Sequence, residues 1–235
     1  MPKKIPISLE LLADMETPLS VYKKLANKPF SYLFESVEGG DKWARYSLIG
    51  LPSSRVIKIY QNKIQISKDG KIEEEIVSPD PLKFLEDYQE NIKVKLNNNL
   101  PKFIGGLVGY FGYDCIRYIE TKLSNPKLPD PLGTPDALFM VSEEVAVFDN
   151  LNNKLHLIIL SESESEADIS KAQERLKVLS DELLNPLTNE TFGKIGEPAT
   201  EDDFVSGFGE KEFKETVEQV KEYIKAGDVM QVVCS

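Results

Sequence analysis

Histidine is almost missing from this chain, and cysteine is scarce. His156 is the only histidine among 235 residues, and Cys115 and Cys234 are the only cysteines. Two thiols without C-x-x-C spacing make no disulfide framework, so a reduced, cytoplasmic protein is expected. No cysteine or carboxylate stands at ligand spacing from His156, so neither a metal site nor a histidine triad is expected. Basic residues are in deficit, with 28 Lys and Arg against 39 Asp and Glu and a net charge of −11. That balance argues against a nucleic-acid partner or an anionic membrane surface. No run approaches the roughly 20 apolar residues that cross a bilayer. The opening MPKKIPISLELL is interrupted by Glu10 and Asp14, which is not the pattern of a signal peptide. Apolar residues at 41% and charged residues at 29% are ordinary for a globular chain able to bury a core.

What is present reads as an α+β chain, mainly antiparallel β-sheets packed with helices. Thr17-Pro18 caps a short helix with Leu19, Val21, Tyr22 and Leu25 as its apolar positions. Strands are expected at 30–36 and 43–50, and period-two alternation over 55–76, with turns at Gln61-Asn62 and Asp69-Gly70, predicts a meander. Asp80-Pro81 opens a second capped helix, running to about Asn91. Residues 102–114 read as a glycine-rich strand, and the four prolines of 125–136 forbid regular structure there. The runs 137–149 and 154–160 predict a hairpin around Asn150–Asn153. A helix then carries Ile169, Ala172, Leu176, Leu179 and Leu183 at spacings of three and four. The expected organisation is an N-terminal domain over 1–184, a polar linker over 185–208, and a new unit over 209–235. That last unit has a helix at Glu210–Ala226 with Gly227 as its C-cap residue, followed by a closing strand.

Few residues carry chemistry. The glycines of GGLVGYFG, 105–112, are interleaved with aromatics and lack G-x-G-x-x-G spacing, so a close-packed strand is expected rather than a dinucleotide loop. His156 is expected on the solvent face of an edge strand, and Cys234 as a small core residue. Glu143 and Glu144 point to opposite sides of a strand and cannot converge as an acid–base pair. One constellation remains. Glu35 and Ser36 end an apolar strand, and Arg45 follows across a glycine loop. A carboxylate, a hydroxyl and a guanidinium suit the ammonium and carboxylate of an amino-acid ligand, although an ordinary capped strand end carries the same residue types.

At these residues the sequence resembles the large subunit, component I, of anthranilate synthase. The matching stretches are ETPLSVYKKL (16–25), YLFESVEGG (32–40), RYSLIG (45–50), GGLVGYFGYDCIRYIE (105–120), VFDNLNNKLHLI (147–158) and YIKAGDVMQVVCS (223–235). They occur in the family's order across nearly the whole chain.

The resemblance implies an enzyme of tryptophan biosynthesis, a lyase that binds chorismate and Mg²⁺ and releases anthranilate and pyruvate. Its ammonia comes from a glutamine amidotransferase partner, component II. L-Tryptophan is its feedback inhibitor, at a site partly formed by the strand that falls on Leu33, Phe34, Glu35 and Ser36, with Phe34 in place of the usual leucine. A basic contact falls on Arg45 or on Lys42. The catalytic histidine, the magnesium carboxylates and the rest of the effector pocket are expected beyond Ser235, so the segment alone is expected to be inactive. Two rivals remain: aminodeoxychorismate synthase component I, whose counterpart strand usually lacks the Glu-Ser and VEGG run, and a non-catalytic tryptophan-binding module.

Overall fold

Two stretches of chain change sheets in mid-course, and the larger part of the molecule is organised around them. The computed structural model describes residues 4–35, 45–94, 100–124, 130, 132–187 and 196–234. The chain divides into two compact units, Met1–Thr188 and Asn189–Ser235.

The first unit contains β1 (Ile5–Leu12), α1 (Pro18–Val21), β2 (Tyr32–Phe34), β3 (Tyr46–Gly50), β4 (Arg55–Tyr60), β5 (Lys63–Lys68) and β6 (Lys71–Val77). There follow α2 (Pro81–Asn91), β7 (Gly106–Phe111), β8 (Ala137–Ser142), β9 (Glu144–Asp149), β10 (Lys154–Ser161) and α3 (Glu166–Leu183). Thr17 caps α1, which runs directly into a π-helical turn at Tyr22–Ala26. Asp80 caps α2 by accepting from the Lys83 N–H, and Ser165 caps α3 by accepting from that of Asp168. These are the positions at which a side-chain oxygen satisfies an otherwise orphaned helical N–H.

The strands form two five-stranded antiparallel sheets. One has the order β1-β10-β9-β3-β2 and the other β6-β5-β4-β8-β7. The expected meander is β4-β5-β6, with tight turns at Gln61 and Asp69-Gly70 in the left-handed region. The run 137–149, expected as a single strand, is instead two. β8 pairs with β4 and β7 in the second sheet, and β9 pairs with β10 and β3 in the first. The chain bends at Glu143, within the polar Ser142-Glu143-Glu144 step between two apolar runs, and no glycine or proline marks it as a break. The other crossing, between β3 and β4, lies beside it. There the Leu51 N–H donates to the Glu144 carbonyl at 3.0 Å, and the Ser53 hydroxyl lies 2.7 Å from the Val141 carbonyl. Corners of this kind, where a strand switches sheets, tie the two sheets together.

Three apolar clusters result. One face of the first sheet, with Ile49, Phe148, Leu155 and Leu157, packs on Val21, Leu25 and the α3 residues Ala172, Leu176, Leu179 and Leu183. Its other face, with Val145, Val147, Ile158 and Leu160, is covered by Ile104 and its neighbours. The second sheet packs Ile57, Ile59, Ile64 and Phe139 against Leu85 of α2. Burial on both faces explains why β9 and β10 read as nearly continuous apolar runs rather than as alternation.

Four further expectations are corrected here. No element is expected before Thr17, yet β1 pairs along the whole of β10. Pro6 lacks an N–H for a ladder, a loss tolerated on an edge strand such as β1. With β1 in place, β10 is an interior strand, so His156 is buried rather than on a solvent-facing edge. In the second unit, α4 (Glu210–Ala226) forms as expected and ends at Gly227 with φ 82°. The closing strand over 229–234 is absent: those residues have no regular structure. A strand needs a neighbour for its ladder, and the second unit has none among its described residues. Cys234 is accordingly no core residue; it lines an open depression with Phe208 and Phe213.

The glycine-rich stretch behaves as a close-packed strand. A Cβ on Gly109 would lie 1.8 Å from the Leu138 carbonyl oxygen of β8. Replacing Gly109 by alanine should therefore destabilise the first unit by about 1–3 kcal/mol in urea unfolding. A loss under about 0.5 kcal/mol would contradict the close β7–β8 approach.

Candidate functional site

β2 is a short edge strand, and one aromatic residue fixes it. Tyr32 pairs with Gly50 of β3, Leu33 with Ile49 and Phe34 with Leu48. The Tyr32 ring lies across Gly50, where a Cβ would approach the ring to 1.9 Å. Its hydroxyl then reaches Ser142 Oγ at 2.8 Å, at the corner where the chain leaves the second sheet. Burial pushes the Tyr32 phenol up to about 12, against the opposing effect of the Ser142 hydrogen bond. Phe34 stacks at 4.9 Å on Tyr32 and is half-exposed.

The far end of this strand pair carries the sequence-predicted site. Glu35 directly follows the Phe34–Leu48 pair and is exposed, and Arg45 directly precedes β3. The fold thus brings Glu35 and Arg45 to the same end of the same strand pair. Ser36, with Lys42, lies outside the described residues.

Arg45 is held by a partner that sequence reasoning missed. Its Nε donates to Asp149 Oδ1 at 3.0 Å and its Nη2 to Oδ2 at 2.6 Å. The guanidinium carbon also stands 4.8 Å from the Tyr46 ring centroid. Asp149, at the end of β9, is only 3% exposed. Its carboxylate also accepts from the N–H groups of Leu151 and Asn152 and from Asn152 Nδ2, at 3.2, 3.3 and 2.8 Å. The Asn150 N–H donates to the Arg45 carbonyl at 2.8 Å. The Arg45 hydrogen bonds, aided by those of Asn152, hold the Asp149 carboxyl down at about 2 despite its burial, and the same contact raises Arg45. Asp149-Asn150-Leu151-Asn152 is a legible Asx-type turn, but nothing local in it points to Arg45.

Other candidate groups are occupied separately. Glu143 pairs with Lys4, and Glu144 forms a forked pair with Arg175 at 2.9–3.2 Å, so the two carboxylates do not converge. His156 Nδ1 lies 3.9 Å from Glu10. Among the described residues no group of three or more His, Cys, Asp or Glu is placed to hold a metal ion. Mg²⁺ therefore finds no ligand set in them. No described helix is long and apolar enough to cross a membrane.

An antiparallel two-sheet body with Glu35 and Arg45 at one end of its β2–β3 pair invites comparison with known proteins. Residues 31–235 match the family model of the chorismate binding enzymes, and the chain belongs to that family. Within it, the chain is similar to the anthranilate synthase component 1 of Pseudomonas aeruginosa, 46% identical over 99% of this chain and 47% of that protein. The same-named proteins of Neisseria meningitidis and Acetivibrio thermocellus are 44% and 36% identical, each again over 47% of its length. The crystal structure of anthranilate synthase component I from Streptococcus pneumoniae superposes with a TM-score of 0.61 at 27% identity, covering 93% of this chain and 46% of that one. The chain thus spans about half the length of these relatives, and its resemblance to anthranilate synthase component I is borne out.

The Asp149 carboxyl sets a pH dependence. Its folded pKa of about 2 lies below the ordinary value near 3.9, so the stability it contributes is present above pH ~4 and is lost as pH falls toward 2. Urea midpoints measured from pH 5 to 2 should fall less steeply in Arg45→Ala than in the wild type. Parallel curves would show that the pair does not hold Asp149 ionised.

Proposed function

We propose that this chain is the N-terminal half of an anthranilate synthase component I, a cytoplasmic enzyme of tryptophan biosynthesis. In this reading the complete protein is a lyase that uses Mg²⁺, replaces a chorismate hydroxyl with ammonia and eliminates pyruvate to leave anthranilate. The ammonia is drawn from glutamine by a component II amidotransferase partner. Residues 1–184 form the N-terminal domain, 185–208 a linker, and 209–235 the first elements of the part that carries the chemistry. The observation that carries the proposal is 46% identity to an anthranilate synthase component 1 over 99% of this chain.

The effector site is assigned to Ser36, Glu35 and Arg45. Glu35 answers the ammonium of L-tryptophan, Ser36 donates to its carboxylate, and Arg45 supplies the positive charge at that end of the β2–β3 pair. Support comes from the placement of Glu35 just after β2 and Arg45 just before β3, at one end of that strand pair.

The test is a product analysis of the full-length enzyme with chorismate, Mg²⁺ and ammonia. Anthranilate and pyruvate should form in equal amounts, and L-tryptophan should suppress both. A product that keeps its enolpyruvyl group, with no pyruvate released, would point instead to an aminodeoxychorismate synthase.

A further inference from the structure

Arg45 is asked to serve a ligand, yet its side chain rests against a residue 104 positions away. A guanidinium on a flexible stem loses rotamer entropy whenever it is fixed for a ligand, and a preformed bidentate carboxylate contact removes that cost in advance. Asp149 is suited to the task. It is nearly buried, tied at both oxygens, and immobilised by the Leu151 and Asn152 amides of its own turn. The turn grips the Arg45 backbone as well, through the Asn150 N–H. Tyr46 covers the guanidinium face. Together these contacts set the position and plane of the cation at the end of β3.

We infer that Asp149 is a positioning residue of the amino-acid effector site, holding the Arg45 guanidinium in place for the ligand carboxylate without touching the ligand. The inference rests on the effector reading above. It predicts that sensitivity to the effector and the rate of the reaction separate on substitution.

In the full-length enzyme, Asp149→Asn keeps the side-chain shape but loses the charge. The L-tryptophan concentration for half-inhibition should rise about tenfold, equivalent to ~1.4 kcal/mol, while kcat and KM for chorismate stay within about twofold. Arg45→Ala should lose at least as much sensitivity, and the double variant should be no worse than Arg45→Ala, because Asp149 then has nothing to position. Should Asp149→Asn fail to fold, Asn152→Ala removes one exposed tie to the same carboxylate and should raise the half-inhibiting concentration by a smaller factor. Unchanged inhibition in the folded variant would overturn the inference, as would additive losses in the double variant or a fall in kcat matching the loss of inhibition. A wild-type enzyme indifferent to L-tryptophan would overturn the effector reading itself, whereas wild-type inhibition that survives Asp149→Asn overturns only the role of Asp149.

Discussion

The architecture depends on the bend at Glu143, where one extended run stops serving the second sheet and starts serving the first. β8 and β9 are interior strands of different sheets, joined by a single residue. The crossing from β3 to β4 lies against that bend, tied by Leu51 to Glu144 and by Ser53 to Val141. Two sheets so joined cannot slide independently, and the cores on either side of β9 and β10 follow from it. Tyr32 adds the third tie by reaching from the edge strand into the same corner.

That corner determines where the site lies. β2, β3 and β9 all run between the corner and the opposite end of the first sheet. Tyr32, Gly50 and Ser142 hold one end, so Glu35, Arg45 and Asp149 are delivered together at the other. A three-residue edge strand has few ladder hydrogen bonds of its own. Its geometry is therefore set by a buried phenol at one end, with a bidentate pair between part-exposed Arg45 and buried Asp149 fixing the neighbouring strand at the other. Breaking such a pair on one side leaves an uncompensated charge, which gives the Arg45–Asp149 contact structural weight in addition to its proposed role.

Much of this is legible in the sequence, and the failures have physical reasons. Helix caps at Thr17 and Asp80 and the turns of the meander depend on neighbouring residues, so they can be read locally. β1 escapes because Pro6 looks like a breaker unless the strand is known to lie on an edge. The split at Glu143 escapes because the bend carries no glycine or proline and is flanked by apolar runs on both sides. His156 is misplaced for the same reason that β1 is missed, and the strand over 229–234 fails for want of a neighbour. At the site, Glu35 and Arg45 stand out by residue type. Asp149 does not, because a partner 104 residues away leaves no local signal.

The proposed function requires that this chain act together with a second part of a chorismate enzyme. Exposed Phe111, Tyr113, Ile119 and Phe213 are consistent with surfaces that a second half would cover. The most direct measurement is reconstitution: the chain and the C-terminal half of the enzyme are produced separately, mixed, and assayed for anthranilate from chorismate, ammonia and Mg²⁺. Activity is expected only in the mixture, with co-elution of the two chains. Anthranilate formed by this chain alone, or by the C-terminal half at the same rate without it, would contradict it.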